Sequence, residues 1–350
     1  MSELTGKVQT VLGPIQPEEL GVTLAHEHLI SDGRCWFLEP KAATDKGMAH
    51  QPVKLENLWW VRYRVWENLD DLLSLDEQEA IDEVMRFKVA GGRSVVELSS
   101  IGFGRDPEAL ARISRATGLN IIMGSGYYLE ISLGDRLEYK SEEEISDEIV
   151  KDITEGTHGM GIRAGIIGEI GCSFDITSNE HKSLRAAARA QKVTGAPLNV
   201  HCSRGEEGAL QILSVLEGAG ADVGRTVIDH MDSGVWDREK AFEVARHGCF
   251  VEYDVFGREG YYPIRNGRVV DRPNDAKRIN QIMELAEAGY LDQVLIAQDI
   301  WQKVQKVRYG GWGYAHILRN VVPVMRAKGM SQREIDTMLV ENPKRLLTFA

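Results

Sequence analysis

The stretch "VTLAHEHLIS", residues 22–31, decides the fold. It is a short apolar run ending in His26-Glu27-His28, and no glycine follows it. An open doubly wound sheet would want a glycine-rich, phosphate-binding turn after its first strand. Without that turn a closed parallel barrel is preferred, because a barrel strand can deliver polar side chains straight to its mouth.

Working outward, seven more short apolar runs follow. They are "SVVELS" (94–99), "NIIMGSG" (120–126), "AGIIGEI" (164–170), "PLNVH" (197–201), "TVIDH" (226–230), "CFVEYD" (249–254) and "VLIAQD" (294–299). Strands covered on both faces read this way. Amphipathic segments lie between them. Residues 76–90 space Ile81, Val84, Met85 and Val89 along one helical face and stop at Gly91-Gly92. Residues 179–194, 207–218, 237–247 and 275–289 carry the same pattern, and 331–348 opens with the capping-box pair Ser331 and Glu334. Eight strands alternating with helices predict an α/β fold, a (β/α)8 TIM barrel with long loops at its C-terminal face. No linker or low-complexity tract divides the chain, so residues 1–350 read as one domain.

Bulk composition excludes several classes. A net charge of −12 without a Lys/Arg cluster argues against a nucleic-acid partner. No apolar run is long enough for a membrane span, and "MSELTGKVQT" lacks a signal-peptide pattern. The 4 cysteines are scattered, which suits a reducing cytoplasm better than a disulfide scaffold.

Three strand-to-helix connections are long: residues 29–75, 255–274 and 300–314. The first holds Trp36, Trp59, Trp60 and Trp66, and the last holds Trp301, Trp312 and Tyr314. These aromatics make either a subcore or subunit interface, or the wall of a substrate pocket. The glycines of "YGGWGYAH" (309–316) read as a tight turn, with phosphate binding the weaker reading.

The chemistry lies at the strand ends. His26 and His28, two apart, face one side together, while Glu27 points away. His201 ends the fifth strand, His230 the sixth and Asp299 the eighth, and Glu169 sits one residue before the end of the fourth. Ionisable side chains at the C-terminal ends of barrel strands converge on the mouth where active sites are built. Four histidines and two carboxylates there suit one or two divalent ions: zinc, manganese, cobalt or iron. Cys172 and Cys202 each neighbour a candidate ligand, but both read as buried small hydrophobes.

On these residues, and on "GKVQTVLGPIQPEELGVTLAHEHL", "GIIGEIGCS", "EYDVFG", "YGGWGYAHIL" and "ENPKRLLTF", the sequence resembles the phosphotriesterase family of the amidohydrolase superfamily. It is most similar to the phosphotriesterase-related and resiniferatoxin-binding branch. The resemblance implies a barrel with a two-metal centre, most often zinc. His26, His28 and Asp299 would bind the buried ion, His201 and His230 the exposed one, and Glu169 would stand where many members carry a bridging carboxylated lysine. It also implies a homodimer acting on a small molecule, with Tyr128 in "GSGYYL" over the metals as a substrate-binding residue. Where the family's acyl-homoserine-lactone hydrolases carry an arginine after "EYD", this chain has Val255, which argues against that substrate.

The expected function is hydrolysis of an ester, lactone or amide by a hydroxide bridging the two ions, with Asp299 handling its proton. The alternatives are phosphotriester hydrolysis and a non-catalytic barrel that only binds a small molecule.

Overall fold

The structure is a computed structural model, and it describes residues 4–202, 208–234, 237–261 and 271–350. Part of the long connection read at 255–274 therefore lies outside the described residues. Eight parallel strands form one sheet in chain order. They are β1 (Thr23–Glu27), β2 (Ser94–Glu97), β3 (Asn120–Ser125), β4 (Ile166–Ile170), β5 (Leu198–Val200), β6 (Thr226–Ile228), β7 (Phe250–Tyr253) and β8 (Val294–Ile296). Each falls inside one of the eight apolar runs. Every neighbouring pair from β1 to β8 is a parallel ladder. At the seam between β8 and β1, Asp299 N–H donates to the His26 carbonyl at 3.3 Å, which brings the two edge strands together just past β8. The predicted TIM barrel is therefore the fold observed, nearly closed.

Helices fill the connections: α1 (Glu77–Val89), α2 (Pro107–Thr117), α3 (Glu142–Thr154), α4 (Ser178–Thr194), α5 (Gly208–Gly218), α6 (Arg238–Arg246) and α7 (Asp275–Glu287). After β8 come α8 (Val322–Ala327), α9 (Gln332–Asp336) and α10 (Asn342–Leu347). The region predicted as one helix at 331–348 is α9 and α10 joined through a π-helical turn, Thr337–Glu341. Three helices, α2, α3 and α8, were not singled out in the sequence, although the caps of the first two are local. Asp106 accepts from Ala109 N–H at 3.0 Å with Pro107 opening α2, and Ser141 with Glu144 forms a capping box on α3.

Inside the barrel Ala25, Val96, Ile122, Ile166, Val227, Phe250 and Leu295 pack together, and Leu20, Leu346 and Leu347 join the same cluster. Each fully buried large apolar side chain contributes about 1.5–3 kcal/mol, so this plug keeps the strand ends in register. On β5 the sequence supplies a polar Asn199 instead, which donates to Glu252 Oε2 at 3.2 Å.

The loop aromatics form a subcore that also walls the mouth. Trp36 stacks on Trp66 at 5.2 Å, and both cluster with Trp60, Phe103, Tyr128 and Trp301. Trp59 differs, with 70 % of its surface exposed. Asp71 clamps the first long loop to the last: it accepts from Val304 N–H at 2.8 Å and Gln302 Nε2 at 3.1 Å. The glycine-rich turn is packed rather than open, since a Cβ on Gly311 would meet the Gln305 backbone at 2.1 Å.

Candidate metal centre

Local backbone irregularities aim the six strand-end residues. The β1–β2 ladder shifts register between Leu24 and Glu27, and the β4–β5 ladder shifts between Ile167 and Ile170. Such bulges re-aim a side chain that simple alternation would misplace. Gly168, at the second bulge, has φ +126, and a Cβ there would meet the Asn199 carbonyl at 2.4 Å. His230 and Asp299 take left-handed φ values of 54° and 49° just past their strands. Histidine and aspartate are among the residues that enter this region most readily, and such conformations cluster at functional sites.

The result is a ring of inward-facing atoms. His201 Nδ1 lies 2.5 Å and His230 Nε2 3.2 Å from Glu169 Oε1. His28 Nε2 lies 3.2 Å from Asp299 Oδ1, and His26 Nε2 lies 3.9 Å from both Glu169 Oε1 and Asp299 Oδ1. All six residues are at most 4 % exposed. His26, His28 and Asp299 form one group whose ligand atoms could share a cation, and His26, Glu169, Asp229 and His230 form another. The six strand-end residues picked out in the sequence are thus brought together. Asp229, not foreseen as part of the set, lies beside them.

The outward nitrogens are held from behind. His26 Nδ1 faces Glu252 Oε2 and Asp254 Oδ2, each at 3.3 Å, and His230 Nδ1 pairs with Asp254 Oδ1 at 2.8 Å. His28 Nδ1 meets Ser99 Oγ at 3.1 Å, and that hydroxyl donates to Glu97 Oε1 at 2.6 Å. A ligand imidazole is normally oriented by such a partner on its other nitrogen. Sequence reasoning missed Glu252, Asp254 and Glu97. The first two belong to "CFVEYD", where the strand-end rule applies as well.

Electrostatics tie these groups together. Burial works against the charged form of Glu169, yet the His201, His230 and His26 imidazoles hold its carboxyl well below the usual range. Burial likewise opposes a charged His26, but Asp254 and Glu252 raise it well above an ordinary imidazole. Burial also pushes Asp229 up, while the paired imidazoles keep Asp254 low. A divalent ion needs deprotonated imidazoles and carboxylates, so cation binding among these groups would be linked to proton release.

The mouth above the ring is narrow, a cavity of about 10 Å³ walled by Trp36, Phe103, Tyr128, Arg258 and Trp301. Tyr128 lies beside the ring of donors: its own ring is 5.4 Å from that of His201, and its oxygen accepts from Trp36 Nε1 at 3.3 Å. Burial raises its pKa well above that of a free phenol. Arg258 was unforeseen. It is 3 % exposed, lies 3.1 Å from Asp299 Oδ2, and donates to the Asp299 carbonyl. A larger cavity of about 960 Å³ lies around Arg225, Asp292 and Arg345, beside the starts of β6 and β8 and away from this ring.

Histidines and carboxylates gathered at the C-terminal mouth of a (β/α)8 barrel define the class of barrels able to hold catalytic cations. Within that class the chain belongs to the phosphotriesterase family, whose model matches residues 6–347. The family is typically dependent on a pair of metal ions, and by this membership the protein is a hydrolase. It is 41 % identical to the N-acetyltaurine hydrolase of Xenopus tropicalis over 350 residues, covering 100 % of both chains. Among solved structures, a resiniferatoxin-binding protein from Rhodobacter sphaeroides superposes with a TM-score of 0.95 at 39 % identity, covering 99 % of this chain and 98 % of that one. A lactonase from Listeria monocytogenes gives a TM-score of 0.80 at 25 % identity, covering 98 % and 99 %. No helix of the described residues is long and apolar enough to cross a membrane.

Proposed function

We propose that the protein is a two-cation amide hydrolase acting on a small N-acylated amine that carries an acidic group, of the N-acetyltaurine kind. One observation carries the metal part of this reading. His26 Nε2 is buried, faces Glu169 and Asp299 at 3.9 Å, and has no hydrogen-bond partner. A buried polar atom left unsatisfied is costly, and a cation among these donors would satisfy it. His26, His28 and Asp299 would hold one ion, His201 and His230 the other, and Glu169 would reach both. Zinc, manganese, cobalt and iron all suit imidazole and carboxylate donors.

When bound, such ions supply an acidified water and a polarised acyl oxygen. The chain's own residues supply the rest. Asp299 has one carboxylate oxygen toward the ring, where it can accept the proton of the attacking water, and the other toward Arg258. Tyr128 keeps its own proton because burial raises its pKa well above that of a free phenol, and with Trp36 donating into its oxygen the hydroxyl hydrogen is left as a donor to the acyl oxygen. Trp36, Phe103 and Trp301 exclude bulk water. In the net reaction the amide C–N bond breaks, the acyl carbon takes the oxygen of water, and the proton passes through Asp299 to the departing nitrogen.

Amide cleavage is favoured over lactone or phosphotriester cleavage by relatedness. Relatives named N-acetyltaurine hydrolase match end to end at 39–41 % identity, whereas the Listeria lactonase stands at 25 %. The test is to count metals per chain and compare kcat/KM for N-acetyltaurine, an aliphatic lactone, an aryl ester and a phosphotriester, with and without a chelator. N-acetyltaurine should lead, chelation should abolish turnover, and added zinc should restore it. Asp299→Asn should keep at least one ion while losing about 10²–10⁴-fold in kcat. Undiminished turnover in metal-free protein, or a clear lactone preference, would overturn the reading.

A further inference from the structure

We propose that Arg258 anchors an anionic group, a sulfonate or a carboxylate, on the amine portion of the substrate; this rests on the amide-hydrolase reading above. The backbone of Arg258 is fixed from beneath. Gly257 N–H donates to Asp275 Oδ1 at 2.8 Å, and the Arg258 carbonyl accepts from Arg278 Nη2 at 2.7 Å. Arg278 is itself fully buried and held by Asp232 at 2.6 Å and Asp275 at 2.9 Å. Gly257 has φ +91, and a Cβ there would strike the Trp312 ring at 2.5 Å, so the chain turns sharply just before the arginine. This stem delivers a guanidinium into the mouth, 5.9 Å from the Trp301 ring centre.

Among the described residues lining the mouth, Arg258 is the one arginine or lysine. Its contacts to Asp299, to the side chain at 3.1 Å and to the carbonyl, both run through Nη2. Asp299 also faces His28 and the open Nε2 of His26, the side on which a cation would sit. A cation there takes a share of the Asp299 charge and leaves the guanidinium beside a positive centre in a desolvated, aromatic-walled space. An anionic group entering the mouth would there meet positive charge from both the guanidinium and the cation site. A planar five-donor fork accepts two oxygens of a carboxylate or a sulfonate side by side, which a lysine does not do. The anion must lie a short spacer away from the scissile bond, because Arg258 adjoins the residue assigned to the proton transfer.

The experiment compares wild type, Arg258→Met and Arg258→Lys, each zinc-loaded and checked for metal content and thermal midpoint. KM and kcat are measured for N-acetyltaurine, for N-acetyl-β-alanine as its carboxylate counterpart, and for neutral N-propylacetamide. Binding of ethanesulfonate and of propionate to each holoprotein is measured by calorimetry, without turnover. Arg258→Met should raise KM for the anionic amides by about 10–100-fold and leave that of the neutral amide within about twofold. It should also lose ethanesulfonate or propionate binding, and the anion affected more identifies sulfonate or carboxylate as the preferred group. Arg258→Lys should recover only part of each. Equal loss of kcat on charged and neutral amides, with KM and anion binding unchanged, would overturn the proposal and make Arg258 a positioning residue for Asp299. If wild type cleaves no amide yet binds ethanesulfonate through Arg258, the anchor stands and the amide-hydrolase reading falls.

Discussion

The carboxylate of Glu27 straddles Asp299: Oε1 accepts the backbone N–H of Gln298 and Oε2 that of Ile300, both at 2.9 Å. This bracket holds Asp299 in its left-handed conformation and ties β1 to the end of β8, where the barrel closes. Glu27 is fully buried, and burial pushes its carboxyl up to about 8 against the pull of these two donors. Alternation along β1 predicts that Glu27 points away from His26 and His28. It does, and what it points to is the seam.

Glu27→Ala leaves two buried N–H groups without an acceptor, at about 1–3 kcal/mol each. We expect a loss of roughly 2–6 kcal/mol in urea unfolding, and a smaller loss for Glu27→Gln, which keeps one acceptor oxygen. An alanine variant as stable as wild type would show that the seam does not depend on this carboxylate.

Asp254 orients two candidate ligands, facing Nδ1 of His26 at 3.3 Å and Nδ1 of His230 at 2.8 Å. Asp254→Asn should weaken zinc binding by about 10–100-fold in competition with a chromogenic chelator, with circular dichroism unchanged. Unaltered affinity would count against the role assigned to it.

The clamp between the long loops is sensitive to pH. Burial raises the Asp71 carboxyl to about 7, whereas an unfolded chain titrates near ~3.9. Between those values the folded protein holds a proton that the unfolded chain has released, so Asp71 makes stability fall as the pH climbs through that window. Asp71→Asn cannot titrate, and its melting temperature should fall less steeply between about pH 4 and pH 7. Parallel curves in a calorimetric pH series would contradict this.

Burial raises Cys202 and Cys249 to about 12 and Cys172 well above an ordinary thiol, whereas Cys35 is only partly buried. A thiol reagent near pH 8 should therefore reach Cys35 first, and the other three only after denaturant is added. Rapid native-state labelling of Cys202, located by mass spectrometry, would mean that the mouth opens far more than its narrow cavity indicates.

The elements that were legible share a cause. Strands buried on both faces must be apolar throughout, so eight runs announced eight strands, and polar residues closing those runs announced the ring. Helices α2 and α3 were passed over even though Asp106-Pro107 and Ser141 with Glu144 are local signals of the kind used elsewhere in the chain. The aromatic loops were legible as a cluster. Whether they formed a subcore or a pocket wall was not, and Trp36 and Trp301 do both.

Sequence alone determined the alternating strand–helix order, the parallel sheet that this order implies and the six strand-end side chains, because each is written in neighbouring residues or in a period of two. Tertiary structure decided the rest. Glu27 finds its partners some 271 residues away, Arg258 reaches Asp299 across 41, and Asp254 meets His230 across 24. Those pairings exist only once the sheet curls until β8 lies beside β1. Closure of the barrel is a global event that no local pattern of apolar and polar residues encodes.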